Sequence, residues 1–188
     1  MVILIGGSSH VGKTMVARSL IRKLGCECIS LDHLKEAFLC SQMGSPGNAD
    51  DVTLRHWMWP FVAEIIKHAI ETGRNLIIEG CYIPMEWKES FTPYQMDHIR
   101  AVFIVMSETY IRSHFDDIGS FSDVVEKREN DVLDMDRLIA CSEAFKADCI
   151  ENGTFYIEIN GEYDTDSLLD AVESVIEDPE PLEKGIVL

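Results

Sequence analysis

The sequence has 188 residues, of which 46% are hydrophobic and 26% charged, as is typical of one soluble globular domain. Its formal net charge of −17 disfavours DNA, RNA or an anionic membrane as the main partner, because acidic surfaces repel polyanions. The chain has no apolar run long enough to span a bilayer and no signal-peptide pattern, so we expect a cytoplasmic protein whose six cysteines are free thiols.

Strand-like and helix-like segments alternate along the chain. Strands are predicted at 2–5, 26–32, 75–80, 101–106 and 154–159; helices at 13–24, 33–39, about 51–69, 107–115, about 121–150 and 166–176. Pro60 is predicted to kink or split the third helix. This alternation predicts an α/β fold, with a five-stranded parallel sheet covered by helices on both faces. We expect a single domain over residues 1–176 and an acidic tail over 177–188.

The first strand runs into the sequence GSSHVGKT, which matches the P-loop pattern G-x-x-x-x-G-K-[ST]. Glycines in such a loop allow backbone N–H groups to surround phosphate oxygens, and the following helix directs the positive end of its dipole at them. The lysine adds a positive charge at the β- and γ-phosphates, and the threonine offers a hydroxyl to Mg²⁺. The predicted nucleotide-binding residues are Gly7, Ser8, Ser9, His10, Val11, Gly12, Lys13 and Thr14.

The P-loop, the chain length and the strand spacing resemble the small P-loop kinases. That group includes nucleoside monophosphate kinases, shikimate and gluconate kinases, and chloramphenicol phosphotransferase-like enzymes. The resemblance implies a three-layer P-loop NTPase sandwich with a small helical lid at about 112–137. It also implies ATP and Mg²⁺ as cofactors and transfer of the γ-phosphoryl group to a small acceptor, either a hydroxyl compound or a nucleoside monophosphate. We expect a monomer or homodimer without nucleic-acid or membrane partners.

Two acidic residues follow predicted strands at the edge of the sheet where ligands bind. The resemblance implies that Asp32 contacts the acceptor hydroxyl or acts as its base; a helix N-cap is the alternative. Glu79 is implied as a partner of the Mg²⁺ shell, and an ordinary strand-end glutamate is the alternative. Gly80 would let a substrate approach the backbone.

Several arginines are implied as lid residues that stabilise charge on the transferring phosphoryl group. Arg112 and Arg128 are the main candidates and Arg137 a further one; solvent-exposed helix ion pairs explain them equally well. The segment 116–123, which contains one glycine and two serines, is suited to a lid hinge.

Further candidates lie on the acceptor and base sides of the site. Arg55 is implied as a group that holds an acidic acceptor, with a solvated helix face as the alternative. Trp57, Trp59 and Tyr82 are candidates to flank an acceptor ring, with core packing as the alternative. Asn160 begins the loop that is implied to pack on the adenine.

Two other functions stay open at this stage. A regulatory NTP-hydrolysing switch is one, although the sequence lacks the N-K-x-D motif that a GTPase uses for guanine. A nucleotide-binding protein without catalysis is the other. Lys13, Asp32 and Glu79, the residues that catalysis needs, are all present.

Overall fold

The strands form one parallel sheet of six members in the part of the chain that the computed structural model describes, residues 1–41, 49–125, 133–177 and 185–188. The strand order is β2-β3-β1-β4-β5-β6. The strands are β1 (Val2–Gly7), β2 (Glu27–Ser30), β3 (Leu76–Glu79), β4 (Ile99–Met106), β5 (Tyr156–Ile159) and β6 (Gly185–Val187).

Helices occupy most of the connections between the strands. They are α1 (Lys13–Leu24), α2 (Leu31–Cys40), α3 (Asp51–Glu71), α4 (Pro93–Met96), α5 (Glu108–Val125), α6 (Met135–Glu151) and α7 (Thr165–Glu177), with a 3-10 helix at Met85–Ser90. None of the helices in the described ranges combines the length and the apolar character needed to cross a membrane.

The central strands are buried on both faces and divide the core into two layers. Val2 and Leu4 of β1 belong to the layer that contains α3, whereas Ile3 and Ile5 belong to the layer that contains α1 and α7. This alternation follows from the two-residue period of a strand. The sheet is therefore covered on both faces, as the alternation of predicted elements indicated.

The expected five-stranded sheet is wrong by one strand. Residues 185–187, in the segment predicted to be a tail, pair in parallel with β5, with Tyr156 opposite Gly185 and Glu158 opposite Val187. A run of three residues is too short to show the alternation by which strands are recognised. The predicted domain boundary at 176 follows from the acidic, proline-bearing stretch that precedes this strand.

Two helices differ from the sequence expectations. Pro60 does not split α3, which is one helix from Asp51 to Glu71, with Asp50 accepting a hydrogen bond from the Thr53 amide at 2.7 Å. Pro60 is exposed, and its missing N–H removes one hydrogen bond from the helix without ending it. The segment 116–123, predicted as a hinge, is helical; the backbone of α5 departs from helical geometry at His114 instead.

The packing of β4 gives a first prediction. Phe103 is fully buried, and a Cβ on Gly6 of the neighbouring strand would overlap its ring. We expect Phe103→Ala to lower the free energy of unfolding by ~3–5 kcal/mol, because the ring leaves a cavity that rigid strands cannot close. Urea denaturation measures this. Tyr94→Ala, at a 66% exposed position, is the control, and equal effects of the two changes would contradict the packing.

Candidate functional site

The P-loop connects the end of β1 to the beginning of α1. A Cβ on Gly7 would overlap the carbonyl oxygen of Ile104 in β4, and the φ of Gly7 is +120°, so this position requires glycine. His10 and Gly12 also have positive φ angles, of 65° and 86°. These turns bend the loop back over the N-terminus of α1, which is the geometry that a phosphate-binding loop needs.

Lys13 is buried in the loop that it helps to form, with 6% of its surface exposed. Its Nζ donates to the carbonyl oxygen of Ser8 at 2.5 Å and to Sγ of Cys81 at 3.2 Å. The ammonium group therefore lies across the loop, between the end of β1 and the residues that follow β3.

Thr14 and Glu79 meet beside the lysine. Thr14 Oγ1 donates to Glu79 Oε2 at 3.2 Å, and Glu79 is 1% exposed at the end of β3. A hydroxyl and a carboxylate are hard oxygen donors of the kind that Mg²⁺ prefers, and Mg²⁺ is commonly held by one or two protein oxygens together with phosphates. These two residues fit such an ion.

Two cysteines that the sequence analysis did not single out also face the loop. Cys81 contacts Lys13 and lies 3.9 Å from Ser9 Oγ. The Cys141 thiol interacts with the backbone N–H of Ser9 and with the charge of Lys13; burial raises its pKa, and these two neighbours oppose the rise. Cys81 follows Glu79 closely, so its position was predictable, whereas nothing local in the sequence connects Cys141 with the P-loop.

Ser142 joins helix α6 to the floor of the loop. It is 1% exposed, and its Oγ lies 3.2 Å from Ser8 Oγ. The same oxygen is 2.8 Å from both the backbone nitrogen and the backbone oxygen of Met106, accepting from the first and donating to the second. One hydroxyl thus links the P-loop, the end of β4 and α6, a contact across 134 residues from Ser8 that sequence periodicity does not reveal.

On the acceptor side, Asp32 is the second residue of α2 rather than its N-cap, because Ser30 occupies the cap position. Asp32 is half-buried, and its negative charge acts on the hydroxyl of Tyr82. That hydroxyl donates to Asp51 Oδ1 at 2.8 Å and accepts from Lys35 Nζ at 3.1 Å. Burial, followed by the hydrogen bond to Asp51, raises the pKa of Tyr82, so the hydroxyl stays protonated.

Gly80, Trp57 and Trp59, which were candidate substrate contacts, pack against other residues of the protein. A Cβ on Gly80 would come within 2.9 Å of the Leu31 Cβ, so the close approach there is to the start of α2. Trp57 packs on Phe38, with ring centroids 5.0 Å apart. Trp59 is 6% exposed and donates to Ser90 Oγ at 2.9 Å. Trp59 is therefore packed in the core, whereas Trp57 is half-buried against its aromatic neighbour.

Arg55 extends from α3 toward α6. Its guanidinium carbon lies 5.2 Å from the centroid of the Phe145 ring, and its charge acts on Cys141 and on Asp148. Its Nε is buried and has no hydrogen-bond partner among the residues that the structure describes. The charges of Arg55 and Lys13 both act to lower the pKa of the Cys141 thiol, against the rise that burial causes.

The two predicted lid arginines that the structure describes form contacts with acidic residues rather than with the P-loop. Arg112 donates to Glu108 Oε1 at 2.7 Å in an exposed pair on α5 and also contacts Met135, so the structure does not bring it to the P-loop. Arg137 lies 3.9 Å from Asp51 Oδ2. Arg128 lies outside the described residues. In this structure, Arg112 therefore forms the exposed ion pair that was the alternative to a phosphate contact.

The backbone of Asn160 is already engaged. Its N–H donates to the carbonyl oxygen of Leu188 at 2.8 Å, so this amide does not point at a ligand. Among the predicted site residues, the structure brings Thr14 of the P-loop into direct contact with Glu79.

The comparisons with known proteins agree with this architecture. The sequence model of the Zeta toxin family matches residues 1–99. No curated protein matches the chain. A sugar kinase from Janibacter sp. HTCC2649 superimposes with a TM-score of 0.57 at 16% identity, covering 94% of each chain.

Two further solved structures share the fold. A deoxyadenosine kinase from M. mycoides has a TM-score of 0.55 at 12% identity, covering 94% of this chain and 99% of its own. A shikimate kinase from Acinetobacter baumannii in complex with shikimate has a TM-score of 0.54 at 14% identity, covering 94% and 90%. At these identities the likeness shows the fold, and the resemblance to small P-loop kinases is confirmed.

The buried contacts of Ser142 give a second prediction. We expect Ser142→Ala to lower the free energy of unfolding by ~1–3 kcal/mol, because it leaves the Met106 amide without a partner in the core. Thermal unfolding followed by circular dichroism measures this. Ser113→Ala is the control, because that hydroxyl is exposed and bonds only within or beside its own helical turn. A Ser142 variant as stable as the control would show that the three-way contact is not a stabilising one.

Proposed function

The chain belongs to the Zeta toxin family, and from that premise we propose that it is an ATP-dependent small-molecule kinase. It would transfer the γ-phosphoryl group of ATP to a small acceptor, either a hydroxyl compound or a nucleoside monophosphate. The observation that carries the proposal is the assembly of Lys13, Thr14 and the buried Glu79 at the adjoining ends of β1 and β3. Phosphoryl transfer depends on positioning and on charge stabilisation, and this assembly provides both.

The P-loop is proposed to bind the triphosphate. Its backbone N–H groups would hold the β-phosphate, and Lys13 would exchange its contacts with Ser8 and Cys81 for phosphate oxygens. Thr14 and Glu79 would hold Mg²⁺, which when bound neutralises charge shared by the β- and γ-phosphates. In this site the protein contributes a fixed cation and fixed amides rather than covalent chemistry.

Asp32 is proposed to act on an acceptor hydroxyl. As the new bond forms between the acceptor oxygen and the γ-phosphorus, the bond from that phosphorus to the β–γ bridging oxygen breaks, and ADP leaves. The hydroxyl proton passes to the Asp32 carboxylate. For a nucleoside monophosphate acceptor the attacking oxygen is already anionic, so a base contributes less and Arg55 contributes more.

The remaining residues are proposed to assist. Arg55 would hold an anionic or carbonyl group of the acceptor through its guanidinium, whose Nε has no hydrogen-bond partner among the described residues. Gly80 remains a predicted substrate contact. Arg112 and Arg128 remain predicted lid arginines. Arg112 would first have to leave Glu108, and an exposed ion pair of this kind contributes little to stability.

An assay with pooled acceptors tests the proposal and gives a third prediction. Purified protein, ATP and Mg²⁺ are incubated with nucleosides, nucleoside monophosphates, sugars, sugar acids and aminoglycoside-type alcohols, and mass spectrometry detects the gain of one phosphoryl group. We expect one acceptor class to be phosphorylated. Bound but unchanged ATP would indicate a non-catalytic nucleotide-binding protein, and ADP with free phosphate alone would favour a regulatory NTPase.

Matched variants identify the residues responsible. Lys13→Ala should lower kcat/KM by about 10²-fold or more, because it removes a charge that stabilises the transition state. Asp32→Asn should lower kcat by about 10²–10⁴-fold for an alcohol acceptor. Lys23→Ala, at the other end of α1, and Glu36→Gln, on the exposed face of α2, are the controls. If Asp32→Asn is fully active, Asp32 is not the base, although the kinase proposal still stands.

A fourth prediction concerns Arg55. Since a hydrogen bond to a charged group contributes ~1.5–3 kcal/mol, Arg55→Ala should raise the KM for the acceptor by roughly 10–100-fold. The KM for ATP should stay within about twofold, because this side chain lies on the acceptor side in the proposed arrangement. Arg74→Ala, whose side chain is 62% exposed, is the matched control. A change in the KM for ATP alone would show that Arg55 contacts ATP rather than the acceptor, and would contradict the proposed arrangement.

A further inference from the structure

A buried tyrosine joins the two helices that carry the residues proposed for the acceptor side. Tyr82 lies in the segment between β3 and the 3-10 helix and is 7% exposed. Its hydroxyl accepts a hydrogen bond from Lys35 Nζ of α2 at 3.1 Å and donates one to Asp51 Oδ1 of α3 at 2.8 Å. One hydroxyl group therefore bonds both helices at once, as its combined donor and acceptor capacity allows.

The two partners of Tyr82 lie one helical turn from the proposed functional residues. In α2, Lys35 follows Asp32 by three positions. In α3, Arg55 follows Asp51 by four positions. Residues three or four apart are neighbours on the same face of a helix. Each bond of the Tyr82 hydroxyl therefore fixes a turn that carries a proposed functional residue, Asp32 in α2 and Arg55 in α3.

The charges on the two sides of the hydroxyl match its dipole. The Lys35 ammonium approaches the oxygen, and the Asp51 carboxylate accepts the hydrogen bond from the proton, so both bonds are charge-assisted. Lys35 Nζ also lies 5.2 Å from the centroid of the Tyr82 ring. Burial raises the pKa of the hydroxyl, and its hydrogen bond to Asp51 raises the pKa further. The proton therefore stays on the tyrosine at neutral pH, and the link between the helices stays intact.

The same two helices have an apolar contact farther from their N-termini. Phe38 of α2 packs edge-on against Trp57 of α3, with ring centroids 5.0 Å apart. Apolar burial is non-directional, so it holds the helices together without fixing the orientation of their first turns. Hydrogen bonds are directional, and the Tyr82 hydroxyl supplies them at the N-terminal turns.

We propose that Tyr82 is a positioning residue, whose hydroxyl holds the proposed base Asp32 and the proposed acceptor-binding Arg55 at a fixed separation so that both act on one acceptor molecule. The proposal rests on the proposed function, because it assumes that both residues act in phosphoryl transfer. It gives Tyr82 a role through its hydroxyl rather than through its ring, which is buried in the core.

The proposal predicts a loss of activity that differs from general damage to the fold. Without the hydroxyl, Asp32 and Arg55 would no longer be aligned with each other, whereas the P-loop contacts of Lys13 would be unchanged. Use of the acceptor should therefore become less efficient, and use of ATP should not. If Arg55 has already been removed, its alignment no longer matters, so the effects of the two changes should be non-additive.

Steady-state kinetics of the full chain, with ATP, Mg²⁺ and the acceptor identified by the pooled assay, give the fifth prediction. Tyr82→Phe keeps the ring and removes both hydrogen bonds; it should lower kcat/KM for the acceptor by roughly 10–100-fold, because small misplacements of reacting groups are costly. The KM for ATP should change by less than about twofold. In a chain that already carries Arg55→Ala, the same change should lower kcat/KM by less than about threefold. Tyr94→Phe, at a 66% exposed position, is the matched control and should change none of these values.

The outcomes separate the two proposals. If Tyr82→Phe uses the acceptor as well as the unmodified chain does, raises the KM for ATP to the same extent, or loses activity in full in the Arg55→Ala background, the positioning role is overturned while the kinase proposal stands. If Tyr82→Phe does not fold, Lys35→Met takes its place, because it removes only the donor to the hydroxyl, and the same outcomes apply to it. If the unmodified chain phosphorylates no acceptor, both proposals are overturned.

Discussion

The close packing of β1 against β4 fixes the geometry on which the candidate site depends. Gly7 ends β1 against the backbone of Ile104, and the Ser8 amide donates to the Ile104 carbonyl oxygen at 3.2 Å. From that point the chain turns directly into the P-loop, and Lys13 begins the next helix. Because β1 is buried on both faces, the loop starts from one of the most rigid parts of the molecule.

The electrostatics of the site contrast with those of the whole chain. With a net charge of −17, the protein surface repels a polyphosphate at long range. Lys13 is buried and Arg55 is half-buried, so their interactions are less screened than those of exposed charges. Their short-range attraction has to exceed the general repulsion, and Mg²⁺ bound with the nucleotide would reduce the charge that must be overcome.

Some parts of this arrangement could be predicted from the sequence and others could not. The P-loop was predictable because its glycines, lysine and threonine are contiguous, and Glu79 because it ends a recognisable strand. Ser142 and Cys141 could not be predicted, since their contacts with Ser8 and Ser9 join segments more than 130 residues apart. Strand β6 was not predicted because three residues show no periodicity. For Arg112 the sequence left an exposed ion pair and a phosphate contact equally open, and the structure has the ion pair.

The sulfur atoms around the P-loop affect how readily the site accepts its ligand. In the structure, the Lys13 ammonium and the Ser9 amide both have thiols as neighbours, and sulfur is a weak hydrogen-bond acceptor. A carboxylate in either position would compete strongly with phosphate and would have to be displaced at a large energetic cost. Thiols keep these donors out of bulk water without holding them firmly, so a phosphate oxygen bound as proposed would be the stronger acceptor, although Lys13 would also have to leave the Ser8 carbonyl oxygen. The sulfur contacts of the unliganded loop are therefore weak ones, which the proposed phosphate ligand would replace with stronger bonds.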